Sequence, residues 1–220
     1  MERKGSIVLQ INAIAEDLRR KMEAANTARE AALTECRSII RASSRAIRAI
    51  HRLEDASAER QLKEVHKQVQ ELRESLKAHP EVYYAGYVHD AQKEYVEAQA
   101  LLAIVRGTPL PGPEDLGVEP AAYLNGLAEA GSECRRYILD RLRADDAGTA
   151  DRLLDAMDEL YYELITFDFP DALTGGLRRT TDAFRAVLER TRGDVTLSMQ
   201  QRALRDVLVA GKVSPPGDAR

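Results

Sequence analysis

The sequence has few of the residues that disulfides, secretion signals and membrane spans require. Its only cysteines, Cys36 and Cys134, are too few and too far apart for a disulfide framework or a structural zinc site. A reducing compartment is the simplest explanation, so we expect a cytoplasmic protein. The first residues lack the apolar core of a signal peptide. The longest apolar run, at residues 98–105, is far shorter than the roughly 20 residues that cross a bilayer.

Several catalytic and cofactor motifs are also absent. The chain has no Walker-type glycine loop, no Cys-x-x-Cys pair and no nucleophile elbow. Helical di-iron proteins use Glu-x-x-His motifs, and none of the 4 histidines follows a glutamate at that spacing. A site made of oxygen ligands alone favours Mg²⁺ or Mn²⁺. The formal net charge of −4 gives no overall attraction to nucleic acid, so a polyanion site has to be a local basic patch.

What remains is a chain with helical periodicity and few helix breakers. Its 13 Gly, 8 Pro and 31% charged residues suit a helical globular protein. No segment alternates as a strand does, and a breaker-rich loop covers residues 107–119. The predicted fold is all-α, in one domain over residues 1–220, with a core at about 5–200 and a disordered tail at 210–220. We predict helices at about 6–53 (one helix or two in near-continuity), 58–78, 81–106, 120–143, 149–167, 176–190 and, after an interruption at Gly193, 195–209.

Five arginines follow one line along the first predicted helix. Their spacing places them within about 80° of the helix circumference, and no acidic residue lies among them. We call them the arginine ribbon: Arg37, Arg41, Arg45, Arg48 and Arg52. Like charges at this spacing repel one another, and guanidinium groups bind phosphate as a fork. The ribbon therefore indicates contact with a phosphate backbone. A solvated face balanced by glutamates on neighbouring helices is the alternative.

Two glutamates of the third predicted helix share a face with the apolar residues that follow them. Glu94 and Glu97 are three residues apart, so their carboxylates lie one turn apart. A buried carboxylate is costly unless it is paired or bound to a metal, and the spacing leaves both explanations open. A magnesium site needs further oxygens. Glu133 and Asp158 are candidates from later helices, although spacing alone favours ion pairs with arginines for both.

The chain resembles the catalytic branch of the translin superfamily, which contains the translin-associated factor Trax and archaeal relatives. The most specific segment is Glu-Tyr-Val-Glu-Ala at residues 94–98. Other parts of the chain also match the family pattern in order and spacing, over about residues 5–200. They are residues 43–47 and 51–52 in the first helix, Tyr-Leu-Asn-Gly-Leu at 123–127, and Leu177-Arg-Arg, Asp182 and Asp194-Val195 near the end.

This resemblance implies a fold and an assembly. The fold is an antiparallel bundle of about seven helices. The expected assembly is a closed, hollow homo-oligomer, hexamer to octamer, with RNA or single-stranded DNA on its basic inner surface. Catalytic members of the family cut RNA in a Mg²⁺-dependent endonuclease reaction.

The resemblance also implies site residues. Glu94 and Glu97 match the acidic pair of the catalytic site, and Asp158 matches its later-helix aspartate. Glu133 matches a glutamate that the non-catalytic branch also keeps. The stretch 165–171 is longer than the family pattern, so the register at Asp158 leaves Asp155 and Glu159 as alternatives. We therefore expect an endoribonuclease that uses Mg²⁺ or Mn²⁺, or alternatively an oligomer that binds RNA or single-stranded DNA without cutting it.

Overall fold

The computed structural model describes residues 2–212 and the side chains of residues 10–209. Within that range the chain forms helices and no strand, which confirms the all-α prediction. Three of the helices are single turns in connections, and the other six are long. The helices are α1 (Glu2–His51), α2 (Asp55–Ser75), α3 (Pro80–Tyr83), α4 (Gly86–Arg106), α5 (Pro113–Leu116), α6 (Pro120–Arg143), α7 (Ala147–Leu164), α8 (Asp171–Thr174) and α9 (Leu177–Lys212). None of the helices in residues 2–212 is long and apolar enough to span a bilayer.

The last helix differs from its prediction. The expected interruption at Gly193 is wrong, because α9 runs without a break to Lys212. Thr191 and Val195 are buried on either side of the glycine, and their packing holds the helix together. A helical glycine costs about 1 kcal/mol relative to alanine, which such packing offsets. Residues 213–220, most of the predicted disordered tail, lie outside the described residues.

Helix α6 occupies the centre of the bundle. It packs against α4, α7 and α9, while α1 packs against α2 and α4. The core side chains that these contacts bury include Tyr95 of α4, Ile138 of α6 and Phe184 of α9. Burying each side chain of this size contributes about 1.5–3 kcal/mol. The phenyl ring of Phe184 fits against Gly131, where an added Cβ would lie 2.4 Å from its Cζ.

Buried polar contacts fix the start of α6 against α4. Pro120 is the first residue of α6, where its missing N–H costs no helical hydrogen bond. The backbone N–H of Glu119 donates to the side-chain oxygen of Gln92, a buried residue of α4, at 3.1 Å. At the other end of α4, Gly107 takes the left-handed conformation that ends the helix. The start of α6 therefore lies beside the second turn of α4.

The first part of α1 projects beyond the bundle. No residue from 10 to 31 is buried, and Ala32 is the first buried side chain. The projecting part still carries an apolar stripe, in which each side chain is 53–73% exposed: Ile11, Ile14, Leu18 and Met22. At about 100° per residue, the stripe lies within roughly 40° of the line through buried Cys36. The core-facing surface of α1 therefore continues past the end of the bundle into solvent.

Candidate functional site

Three carboxylates from two helices converge on one point. One oxygen each from Glu94 and Glu97 of α4 and Glu129 of α6 lies within 4.8 Å of the other two. All three side chains are half-buried. We call this group the acid cluster. It combines the glutamate pair predicted from the sequence with Glu129, which the sequence analysis did not single out.

The acid cluster depends on the close approach of α4 and α6 at Gly126. A Cβ at this position would lie 2.6 Å from the Cβ of Val96 and 2.7 Å from the backbone oxygen of Lys93. The helices therefore touch backbone to backbone one turn before Glu129. This contact sets the axial position of Glu129 relative to α4 and brings its carboxylate close to those of Glu94 and Glu97.

Gly126→Ala is expected to lower the free energy of unfolding by about 2–3 kcal/mol, because the new methyl group meets backbone that cannot rotate away. It should also weaken divalent-ion binding, since α6 has to move away from α4. Urea unfolding and calorimetric titration with Mn²⁺ measure the two effects. Gly193→Ala is the matched control. It has open space around the new methyl group and should gain up to about 1 kcal/mol. Wild-type stability in Gly126→Ala would contradict the close contact.

The acid cluster is electrostatically unfavourable without a counter-ion. Burial, followed by the charges of Glu94, Glu129 and Glu133, raises the pKa of Glu97 to about 8. Burial and the charge of Glu129 also raise the pKa of Glu94. Like charges this close repel strongly in a half-buried position. A cation bound between the carboxylates would remove that repulsion, so the donor set fits a hard divalent ion.

Protein freed of divalent ions is expected to lose stability as the pH rises from about 5 to 8. Folded Glu97 keeps its proton to about pH 8, whereas the unfolded chain releases it near 4.5, so the folded state binds more protons across this interval. Glu97→Gln removes most of the effect, and the raised pKa of Glu94 leaves a smaller part. The variant should be close to wild type at pH 5 and exceed it by about 4 kcal/mol at pH 8.5. Urea unfolding in EDTA measures this, and a difference that does not change with pH would contradict it.

A lysine neutralises part of the acid cluster. Nζ of Lys93 donates to Oε1 of Glu129 at 2.7 Å, and both side chains are largely buried. Burial lowers the pKa of Lys93, but the hydrogen bond and charge of Glu129 outweigh that effect, so the pKa is raised. The lysine therefore stays charged.

Glu133 stands next to the acid cluster rather than in it. Its Oε1 lies 2.6 Å from Nε2 of His51, a buried side chain at the end of α1. Its charge still contributes to the raised pKa of Glu97. Glu133 is therefore close enough to influence an ion in the acid cluster and is held in place by α1.

The structure does not bring Asp158 to the other acids. Its carboxylate forms a hydrogen-bonded ion pair with Arg192 of α9. The alternatives, Asp155 and Glu159, are exposed on α7 and are not in the acid cluster either. The position that the sequence analysis gave to an acid of α7 is filled by Glu129 of α6.

The arginine ribbon lies on the exposed side of α1. All five of its side chains are exposed, and within the described part of the chain none of them forms an ion pair. By helical projection, His51 is about 60° around α1 from Arg48, so the ribbon borders the side of α1 that contacts Glu133. The arginine ribbon and the contact with Glu133 therefore lie on adjacent sides of α1.

Solved structures with the same fold identify the family of this chain. The chain is 35% identical to AfC3PO and superposes on its crystal structure with a TM-score of 0.80, over 86% of this chain and 98% of AfC3PO. The chain belongs to the translin family. The complex of AfC3PO with duplex RNA matches this translin-family chain over the same shares, with a TM-score of 0.81.

Two further proteins are similar to this member of the translin family. Apo-NeC3PO, at 21% identity, shares the fold with a TM-score of 0.75, over 84% of this chain and 96% of NeC3PO. Uncharacterized protein MJ0175 from Methanocaldococcus jannaschii is 32% identical over 185 residues, which are 83% of this chain and 82% of that protein. No family model matches the sequence.

Glu129 is the acid-cluster residue that the sequence analysis of this translin-family protein missed. One signal for it was available. Glu129 and Glu133 are four residues apart, so they share a face of α6, as Glu94 and Glu97 share a face of α4. Gly126, which contacts α4, lies three residues before Glu129 on that same face. A small residue followed at helical spacing by acids marks this face of α6 as the one that meets α4.

Proposed function

We propose that this translin-family protein is an endoribonuclease that depends on a divalent metal ion, Mg²⁺ or Mn²⁺. The convergence of Glu94, Glu97 and Glu129 carries the proposal. Carboxylate oxygens are the ligands that these ions prefer, and the ions keep positions for water and phosphate oxygens. Three half-buried carboxylates with a single lysine partner lower the stability of the fold through their repulsion, which an ion bound between them would remove.

In this proposal the side chains of the acid cluster hold the ion, and Glu133 stands behind them, oriented by His51. When bound, the ion supplies a Lewis acid for a phosphate oxygen and lowers the pKa of an attacking water. The protein supplies the positions of the carboxylates, which the backbone contact of α6 with α4 at Gly126 maintains. No serine or cysteine nucleophile is needed.

The arginine ribbon supplies the nucleic-acid surface. Its guanidinium groups have no acidic partner in the described part of the chain, so they are free to bind phosphates. Phosphate contacts position a strand without reading its bases, so we expect little sequence preference. AfC3PO has been solved with duplex RNA, and we propose that this chain likewise binds RNA, and single-stranded DNA as well. Cleavage then takes place where the strand passes from the ribbon to the acid cluster.

We further propose that the protein works as a homo-oligomer, hexamer to octamer. The exposed apolar stripe on the projecting part of α1 is a surface that the chain itself leaves uncovered. Contact with other copies would cover it and would bring several ribbons together on one inner surface. Sedimentation analysis measures the number of chains in the assembly.

A cleavage assay tests the proposed function. Labelled single-stranded and duplex RNA are incubated with Mg²⁺, Mn²⁺ or EDTA and with wild type or Glu94→Ala/Glu97→Ala. We expect cutting by wild type with metal, none in EDTA, and none by the double variant, which should still bind RNA. The identically purified variant also controls for contaminating nucleases. Binding by wild type without cutting under any divalent ion would favour the alternative function, an oligomer that only binds RNA or single-stranded DNA.

A further inference from the structure

The ammonium group of Lys93 occupies a position from which a divalent ion bound to the acid cluster would repel it. Its ammonium group is 2.7 Å from Oε1 of Glu129, a member of the acid cluster. Its side chain is only 21% exposed, so solvent screens this charge incompletely. A divalent ion on the acid cluster would therefore lie a few ångströms from the positive charge of Lys93. The two cations compete for the same carboxylate.

The competition has a direction, because Lys93 has a longer and more flexible side chain than the glutamates, whose backbones are fixed by the packing of α4 against α6. A lysine carries a point charge on a flexible four-carbon stem, so its ammonium can leave one anion for another within reach. Asp90, one turn earlier on α4, is an acid outside the cluster whose charge also acts on Lys93, and it is mostly exposed. A phosphate bound at the acid cluster would offer Lys93 a less solvated partner than Asp90.

We propose that Lys93 exchanges partners during the cycle of the enzyme. It is the counter-ion of Glu129 before a divalent ion binds, and it binds the RNA phosphate at the acid cluster afterwards. The inference rests on the proposed function and deepens it, because it makes Lys93 the residue that couples metal binding to RNA binding. No covalent step is involved, and the positive charge simply moves from a carboxylate to a phosphate.

The exchange predicts opposite effects of one substitution on two ligands. In Lys93→Met the competing charge is absent, so the Kd for Mn²⁺ without RNA should fall by roughly tenfold. The same variant has lost a phosphate ligand, so with saturating Ca²⁺ its Kd for RNA should rise by roughly fivefold. In EDTA, where Lys93 of the wild type is engaged with Glu129, the two proteins should bind RNA equally.

Calorimetry with Mn²⁺ and fluorescence anisotropy with labelled RNA, in Ca²⁺ and in EDTA, measure these constants. Lys67→Met is the matched control, because Lys67 is an exposed lysine of α2 that pairs with Glu71. It should leave the Mn²⁺ affinity unchanged. Lys93→Arg keeps the charge and should restore RNA binding in Ca²⁺. Thermal unfolding confirms that each variant is folded.

The other possible results each contradict a specific step of the inference. Weaker binding of both Mn²⁺ and RNA in folded Lys93→Met would make Lys93 a structural residue. Tighter Mn²⁺ binding with unchanged RNA binding in Ca²⁺ would show competition without exchange and would overturn the proposal. Failure of wild type to bind Mn²⁺ would instead remove the metal site of the proposed function. The two failures are therefore distinguishable.

Discussion

Glu129→Gln is expected to slow RNA cleavage at saturating Mg²⁺ by about a thousandfold, equivalent to about 4 kcal/mol in the activation free energy. Glutamine has the same shape, and its amide oxygen can still accept the hydrogen bond from Lys93. It lacks the charge that holds a divalent ion. RNA binding in EDTA should change little, because the arginine ribbon is intact. Single-turnover cleavage of labelled RNA over a range of Mg²⁺ concentrations measures the effect and separates weaker metal binding from slower chemistry.

Asp158→Asn is the matched control for this prediction. It also removes one carboxylate, but one that is paired with Arg192 and lies outside the acid cluster. We expect full cleavage activity and a loss of about 1 kcal/mol in the free energy of unfolding, which is typical of a half-exposed charged pair. If Asp158→Asn were inactive and Glu129→Gln active, the later ligand would be the residue of α7 that the family resemblance implies.

Removing three arginines of the ribbon is expected to weaken RNA binding by about a hundredfold at low salt and to flatten its salt dependence. Arg41→Ala/Arg45→Ala/Arg48→Ala takes away three exposed guanidinium groups that have no acidic partner in the described part of the chain. Each phosphate contact on a single strand contributes about 0.7 to the slope of log Kobs against log[salt], so the slope should fall by about 2. Anisotropy titrations in a series of KCl concentrations give both quantities.

A second triple variant separates the ribbon from a general effect of net charge. Lys67→Ala/Lys77→Ala/Arg143→Ala removes the same total charge from exposed residues that are already paired with neighbouring acids. Its RNA affinity and salt slope should stay close to those of wild type. Equal losses in both triple variants would show that net charge, rather than the ribbon, attracts RNA.

The features that were predictable from the sequence are those set by neighbours along one helix. The all-α class, the arginine ribbon and the pairing of Glu94 with Glu97 all follow from helical periodicity. Glu129 was not predictable in this way. Its place in the acid cluster depends on how far α6 is shifted along α4, and the backbone contact at Gly126 sets that shift. Periodicity within one helix does not predict how far that helix is shifted along the axis of its neighbour.

Asp158 and Gly193 are two further positions at which helical periodicity alone could not predict the structure. Helical spacing puts Asp158 close to the apolar face of α7, and its side chain is half-buried. Its partner there is Arg192, 34 residues later in the chain. At Gly193 the local preference to break the helix was outweighed by the burial of Thr191 and Val195. In both cases a contact with another helix decided the outcome.

The local stability of α1 differs along its length, because its first part projects beyond the bundle. Residues 28–51 are held by packing against the core, whereas residues 10–27 have only their own backbone hydrogen bonds and local side-chain pairs. A lone helix of about 20 residues is marginal in water, because starting it fixes many dihedral angles for one hydrogen bond. In a single chain, the amide protons of the first segment therefore exchange with solvent far faster than those of the second. Slow exchange throughout α1 is consequently a property that one copy of this chain cannot have alone.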